Sequence, residues 1–453
     1  MEQLLQYQYL LVIGASLILF FLSPLAKNVQ EFFSATVKNR QPNAWVLTSS
    51  LVISWIFAKS ITNAANLGMS YGFVGGVSYA IYYLSFLVAG VFIYQLRTKG
   101  NFGSIHQFLG QRFGKSAVLI FSLLIAFRLF NEVWSNTMVI GSYFGEQGSY
   151  HYYLAILVFT LLTLAYTLKG GLRSSLLTDV IQMALFSVLL VVLLGVILPK
   201  QDYQIGRMIN SGSWSPSGGI FLLFAALIQV FSYPFHDPVL TDRAFISSPK
   251  VTRRSFFWAS IIGMLCIVLF SFVGIHGQME GLEGQAPVVV SRSLGVPLML
   301  IMNFIMITSA ASTLDSTFSS FAKLTVMDLG LMGRVSIPKG RLAMLIITLL
   351  GTFPIFLNAT ILSATTISGT MVIGLAPVFL FWKRRSSPLA FHLSVGSGVV
   401  MGMLLATDTV PESWVFLEGP YASLLCVNII GTVLSFTLFL VASQRKKIAH
   451  EKN

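Results

Sequence analysis

The chain has 453 residues, 55% of them hydrophobic and only 10% charged, with a mean hydropathy of +0.78. Soluble domains carry about 25% charged residues, so a water-soluble globular protein is excluded and nearly all the mass belongs in a bilayer. The formal net charge of +13 does not point to nucleic acid, because the basic residues fall in short loops between apolar segments. Cys266 and Cys426 both lie inside apolar runs and read as small packing residues, not as a disulfide or a metal site.

Apolar runs of about 20 residues are candidate membrane spans. In chain order they fall at 4–24, 44–66, 70–96, 115–145, 151–168, 175–199, 217–235, 255–277, 293–328, 341–357, 360–382, 387–406 and 420–443, which predicts thirteen transmembrane helices in a single all-α transporter-like domain over 1–453. The first run has Glu2 before it and Lys27 after it, so it is expected to be a retained helix, not a signal peptide. Placing the N-terminus outside puts Lys27, Arg97, Lys99, Arg112, Lys115, Arg253, Arg254, Lys383, Arg384, Arg385, Arg445, Lys446 and Lys447 in the cytoplasm. Only Lys200, Arg207 and Arg292 are left outside. That is the positive-inside pattern, and it predicts a multi-pass plasma (inner) membrane protein with a cytoplasmic C-terminus.

The segment 200–216 is rich in Gly, Ser and Pro and reads as a linker. It separates five helices over 44–199, which start inside, from five over 217–382, which start outside. Two such units of opposite orientation are what an inverted repeat requires, with one extra helix before them (4–24) and two after (387–443).

Two helices carry break signals. Ala58-Lys59-Ser60-Ile61-Thr62-Asn63-Ala64-Ala65-Asn66-Leu67-Gly68 is small and polar, and predicts unwound backbone lining a cavity. Tyr233-Pro234-Phe235-His236-Asp237-Pro238 has two prolines four apart, each removing a backbone donor. Gln229, Tyr233 and His236 are candidates to line the same cavity. Further on, Ser309, Ser312, Thr313 and Ser316 follow helical spacing and share one face. Hydroxyls and backbone carbonyls can cage a hard cation, although Ser and Thr also serve packing between membrane helices. Asp315 is not needed for packing, and neither is Asp179 at the start of its apolar run. Carboxylates at such depth are candidate functional groups by default.

Residues 170–182, Gly-Gly-Leu-Arg-Ser-Ser-Leu-Leu-Thr-Asp-Val-Ile-Gln, closely resemble a signature of the sodium/solute symporter family. The stretch 309–328 resembles that family's eighth core helix, 58–68 its first, and Pro238 and Arg243 match a third motif. The resemblance implies the leucine-transporter type of 5+5 inverted-repeat core and sodium-coupled symport of a small organic solute by one protomer. It implies a principal sodium site made by the carbonyls of Ala58, Ile61 and Ser309 and the hydroxyls of Ser312 and Thr313. A second cation or proton site would use Asp179, Ser312, Asp315 and Ser316. The substrate positions of the proline-transporting members fall on Thr62 and Gly68, beside Lys59 and Asn63. Their aromatic residues on the second broken helix fall on Val230 and Pro234, which argues against proline.

Lys59 is the departure from that family. A lysine at the bilayer centre costs about 3 kcal/mol on insertion scales, so it should face the cavity and meet an acid, with Asp179 and Asp315 as candidates. It could bind a carboxylate-bearing solute, replace the coupling cation, or titrate and carry a proton. It could also form a permanent ion pair that only orders helices. Two acids against one lysine leave one negative charge, which favours sodium. Arg128 and Glu132 are expected to pair across one helical turn, Lys323 to snorkel, and Asp237 and Asp242 to meet Arg243 or Arg173 at a cytoplasmic gate. The six histidines are scattered and no phosphate loop follows a strand, so an enzyme is not expected. The alternatives that remain are a sodium-independent or proton-coupled carrier or exchanger, and a transporter-like sensor. The sequence ends at Asn453, soon after the last span, so sensing would call for a separate partner.

Overall fold

A computed structural model describes residues 2–38, 40–202, 204–353 and 368–450. Among these the chain is helical throughout, with one isolated bridge between Val37 and Arg40. Helix α1 (Glu2–Leu22) is followed by the short α2 (Val29–Ser34). The core then runs α3 (Ala44–Trp55), α4 (Ala58–Ala80), α5 (Ser85–Thr98), the short α6 (Ile105–Phe113), α7 (Lys115–Phe144), α8 (Tyr150–Gly170) and α9 (Leu172–Lys200). Beyond the short α10 (Ile205–Ile209) come α11 (Ile220–Gln229), α12 (Pro238–Arg243), α13 (Pro249–Met279), α14 (Ala286–Ser293), α15 (Val296–Lys323) and α16 (Ile337–Thr352). The described chain closes with α17 (Leu375–Leu380), α18 (Pro388–Ala406) and α19 (Ala422–His450).

Among the described residues nine helical stretches are long and apolar enough to cross a membrane, and α3 and α11 are shorter apolar helices. One of the nine, Ala58–Thr98, is 41 residues long, about twice what a bilayer needs. It turns at Gly72, whose φ of 61° and ψ of −148° interrupt the helix. A side chain there would also collide with the backbone of Ser211, 2.5 Å from its Cβ position. The expected boundary between 44–66 and 70–96 is therefore a glycine corner held by the 200–216 linker. The expected span 360–382 lies partly outside the described residues, as does the end of 341–357.

Lipid-facing surface is apolar: Phe21, Leu123, Val188, Val191, Leu349 and Val433 are all exposed. The interior relies on small residues, as expected where lipid removes the hydrophobic drive between helices. Helices α4 and α13 pack backbone to backbone. A Cβ on Gly274 would lie 1.7 Å from the Ala65 carbonyl oxygen, and one on Gly68 would lie 2.3 Å from that of Ser271.

The Gly170-Gly171 pair explains the placement of Asp179. Gly171 has φ 55° and ψ −133°, so α8 reverses directly into α9, and Phe32 of α2 fills the space above it. Asp179 then lies eight residues into α9, about 12 Å along its axis, and is fully buried.

Candidate functional site

The site forms where two helices break side by side. The first break is shorter and earlier than the sequence suggested. Residues 58–68 are helical, and the unwound link between α3 and α4 is Ile56 and Phe57, with ψ values of 67° and 151°. The polar, small residues of 58–68 mark where α4 must pack against α13 and the site, not where its backbone opens. The second break falls as expected. Helix α11 ends at Gln229, Tyr233–His236 form a 3-10 turn containing Pro234, and Pro238 starts α12. The Asp237 carboxylate caps α12 by accepting the Leu240 amide at 3.1 Å.

The breaks are tied together by Asp237 and Trp55. The indole Nε1 of Trp55 donates to Asp237 at 2.9 Å, and Arg128 on α7 donates to the same oxygen at 3.2 Å. Arg128 pairs also with Glu132, one turn along α7. Glu132 in turn accepts Lys59 Nζ at 2.8 Å, and Asn131 accepts it at 3.4 Å. Lys59 therefore meets an acid, but not Asp179 or Asp315. The expectation fails because Nζ reaches sideways to α7 instead of towards α9 and α15. The four charges of Lys59, Arg128, Glu132 and Asp237 cancel, and all four side chains are buried. Arg128 and Glu132 do pair across a turn as expected, but as half of a network linking both breaks.

Next to that network is an aromatic cavity of about 20 Å³ lined by Trp55, Phe57, Ser60, Tyr79, Tyr82, Tyr83 and Tyr233. That volume holds about one water. Tyr233 sits edge-on to Trp55 at 5.8 Å, and the Arg128 guanidinium lies 5.1 Å from the Tyr233 ring and 5.4 Å from that of Phe57.

The other candidate substrate residues are spread along α4 and α11. Thr62 donates to the Ala58 carbonyl at 3.0 Å and Asn63 to Tyr79 at 3.3 Å, so both stay near the cavity wall. Gly68 is a packing residue against α13. Gln229 accepts from Tyr82 at 2.8 Å and donates to Thr370 and Asn428, linking the cavity to the last helices. His236 is anchored through Nδ1 to the Tyr233 carbonyl at 2.5 Å.

A second cluster lies between α3, α9, α12 and α15. The Ser309 hydroxyl donates to the Ile56 carbonyl, the one left free by the first break, so α15 is stitched to the unwound link. Ala58, Ile61, Ser309, Ser312 and Thr313 are all buried on the two helices joined there. The Ser312 hydroxyl donates to Asp179 at 2.5 Å, leaving its lone pairs available, and Thr313 donates to the Ser309 carbonyl at 3.1 Å. This donor set is hydroxyl and carbonyl oxygen only, the chemistry a hard monovalent cation takes. Among the described residues no group of three or more His, Cys, Asp or Glu could hold a metal ion of another kind.

Asp179 is paired with Arg243 at 3.0 Å, both fully buried. Asp315 accepts the hydroxyls of Ser175 at 2.7 Å, Thr178 at 2.9 Å and Tyr166 at 3.0 Å, and has no ion pair among the described residues. The two acids thus face one cation, as expected, but the cation is Arg243 and not Lys59. The other gate charges also differ from expectation. Asp237 binds Arg128, Asp242 binds Lys323, and Arg173 binds Glu31 at 2.5 Å. Lys323 is an ion-pair partner and does not snorkel freely.

The residues sequence reasoning missed are Trp55, Tyr79, Tyr82, Tyr83 and Asp237 as one wall. They lie on α3, α4, the turn after it and α12, and nothing in their spacing announces that they meet.

With this geometry established, comparison places the chain. The model of the Sodium:solute symporter family matches residues 36–202, which includes the first break and Asp179. No curated protein matches the chain. Among solved structures, a Na+-coupled sialic acid symporter in a substrate-bound outward-open state is 15% identical, with 97% of this chain and 98% of that chain covered and a TM-score of 0.75. A nucleobase-cation-symport-1 family transporter, closed with bromovinylhydantoin bound, is 13% identical over 93% of this chain and 95% of that one, with a TM-score of 0.58. MhsT in complex with L-phenylalanine is 14% identical over 88% and 98%, with a TM-score of 0.57. The fold is therefore the leucine-transporter type shared by these transporters. The resemblance read from 170–182 is met by the family model, and the protein is a multi-pass membrane protein of transporter build.

Proposed function

We propose that this protein is a secondary active transporter in which an inward sodium gradient drives uptake of a small organic solute by alternating access. The observation that carries this reading is the Ser309–Ile56 hydrogen bond. It brings the hydroxyl face of α15 onto the first helix break, where Ala58, Ile61, Ser309, Ser312 and Thr313 can share one cation. Sodium there draws α4 and α15 together and organises the cavity, and its release lets the two helices part. The sodium dependence of the sialic acid symporter and the family match support the same reading. The units 44–199 and 217–382 would be the inverted repeats that move against each other, with the N-terminus outside and the C-terminus in the cytoplasm.

The solute would sit in the aromatic cavity between the breaks, which must widen beyond one water to admit it. Lys59 is already paired, so it gives no argument for an anionic solute. Arg128 does: its Nε is buried and makes no hydrogen bond among the described residues. A small solute with a planar or apolar body and a carboxylate suits aromatic walls with one free guanidinium donor.

The test is thermal stability of the purified protein in sodium chloride against choline chloride. Sodium should raise the melting temperature of the wild type by mass action, and Ser312→Ala with Thr313→Ala should abolish the rise. An equal rise in the double variant would remove the site assignment. Asp315, surrounded by hydroxyls without a cation, favours a second reading in which a proton is also carried. Sodium-independent, pH-driven uptake into proteoliposomes would select that reading.

A further inference from the structure

We propose that Arg243 is a built-in cation that fills the second cation site, so that the protein binds a single sodium ion. The inference rests on the transporter reading above and goes beyond it by setting the number of ions. The oxygens implied for a second ion are those of Asp179, Ser312, Asp315 and Ser316. Nη2 of Arg243 donates to Ser316 Oγ at 2.7 Å and to Asp179 Oδ2 at 3.0 Å, with Ser54 and Ser175 each at 3.3 Å. A sodium ion held by these same oxygens would have to stand where Nη2 stands.

The guanidinium is locked into this position. Nε donates to Ser50 at 2.5 Å and Nη1 to the Val239 carbonyl of its own helix at 3.1 Å. Arg243 is fully buried. Arg128 provides the contrast. Its Nε is buried without a partner, as in a residue that awaits a ligand, whereas every donor nitrogen of Arg243 is hydrogen-bonded within the protein.

The arrangement also explains how the second broken helix joins the coupling. Arg243 ends α12, and its side chain crosses to α3, α9 and α15. A free sodium ion would bridge only the helices that supply its oxygens. A guanidinium anchored on α12 adds that helix to the same cluster. Asp179 is neutralised by this resident charge and still accepts the Ser312 hydroxyl, so it orients a ligand of the principal site without attracting a second ion.

The deciding experiment counts sodium-22 bound per purified protein at saturation, for the wild type, Arg243→Ala, Arg243→Gln and Arg243→Lys. The expected counts are one for the wild type, one for Arg243→Lys, and two for Arg243→Ala or Arg243→Gln, because removing the charge opens the site. Two ions in the wild type would overturn the proposal whether or not the variants fold, and would leave sodium coupling intact. One ion in both the wild type and a folded neutral variant would overturn it as well. No ion in the wild type but one in Arg243→Ala would support the resident cation while removing the principal sodium site. No ion in any of them would end both readings.

Discussion

Two buried charge clusters lie a short distance apart and are built on opposite plans. At the breaks, Lys59, Arg128, Glu132 and Asp237 balance exactly two cations with two acids, and aromatic rings surround them. Between α9 and α15, Asp179 and Asp315 face one guanidinium and a shell of hydroxyls. The first cluster is closed: each carboxylate is in an ion pair. The second is open, with one acid in excess and neutral oxygens that can turn towards an ion. A closed network fixes helix positions, because breaking a buried pair leaves an unpaired charge. An open one can bind and release a cation. The difference suggests that rigidity resides at the breaks and ion exchange beside them.

The largest test of this contrast is Glu132→Gln. It leaves Lys59 and Arg128 short of one carboxylate, and unfolding in detergent should show a loss of about 3–5 kcal/mol. Adding Lys59→Met should recover part of that loss, since the orphaned ammonium is gone. A loss under about 1 kcal/mol would mean that the network is not a closed one. In the open cluster the effect should appear in binding rather than in folding. At a sodium concentration 100 times Kd, bound sodium stabilises by about 2.7 kcal/mol. Ser312→Ala with Thr313→Ala should lose that increment and keep the stability measured in choline. Asp315→Asn should be milder. It removes the excess negative charge, and at an effective dielectric of about 20 a charge roughly 10 Å away changes affinity about tenfold. A titration of melting temperature against sodium reads this directly, and an unchanged midpoint would show Asp315 to be protonated already.

Much of the fold was legible because hydropathy and loop charge are local signals. The Gly170-Gly171 reversal, the prolines at 234 and 238 and the hydroxyl face of 309–316 also act within a few residues of themselves. The position of the first break was misread because small polar residues suit two demands, close helix packing and open backbone, and at Gly68 the first one won. The ion pairs were beyond reach for another reason. Lys59 and Glu132 are 73 positions apart and Asp179 and Arg243 are 64 apart, so which acid meets which base depends on how whole helices are rotated. Sequence could say that Lys59 must meet an acid. Only the packing of α4 against α7 decides which.

The smallest expected effect lies outside both clusters and bounds the comparison. His106 on α6, beyond the spans, bonds Ser122 at 3.2 Å and lies 3.9 Å from Asp328, within the group that includes Lys323 and Asp242. Burial holds its imidazole below the ordinary value of 6.5, against the opposing pull of Asp328. The unfolded chain then binds more protons than the folded one just below pH 6.5, so stability rises with pH there. The contribution is complete above the unfolded value and is lost as pH falls from it towards the folded one. His106→Asn should flatten this part of the pH–stability curve and leave the sodium-dependent rise in melting temperature at pH 7.5 untouched. A variant that also lost the sodium response would mean that the α6 contact communicates with the open cluster, through Lys323 and Asp242 at the far end of α15 and α12.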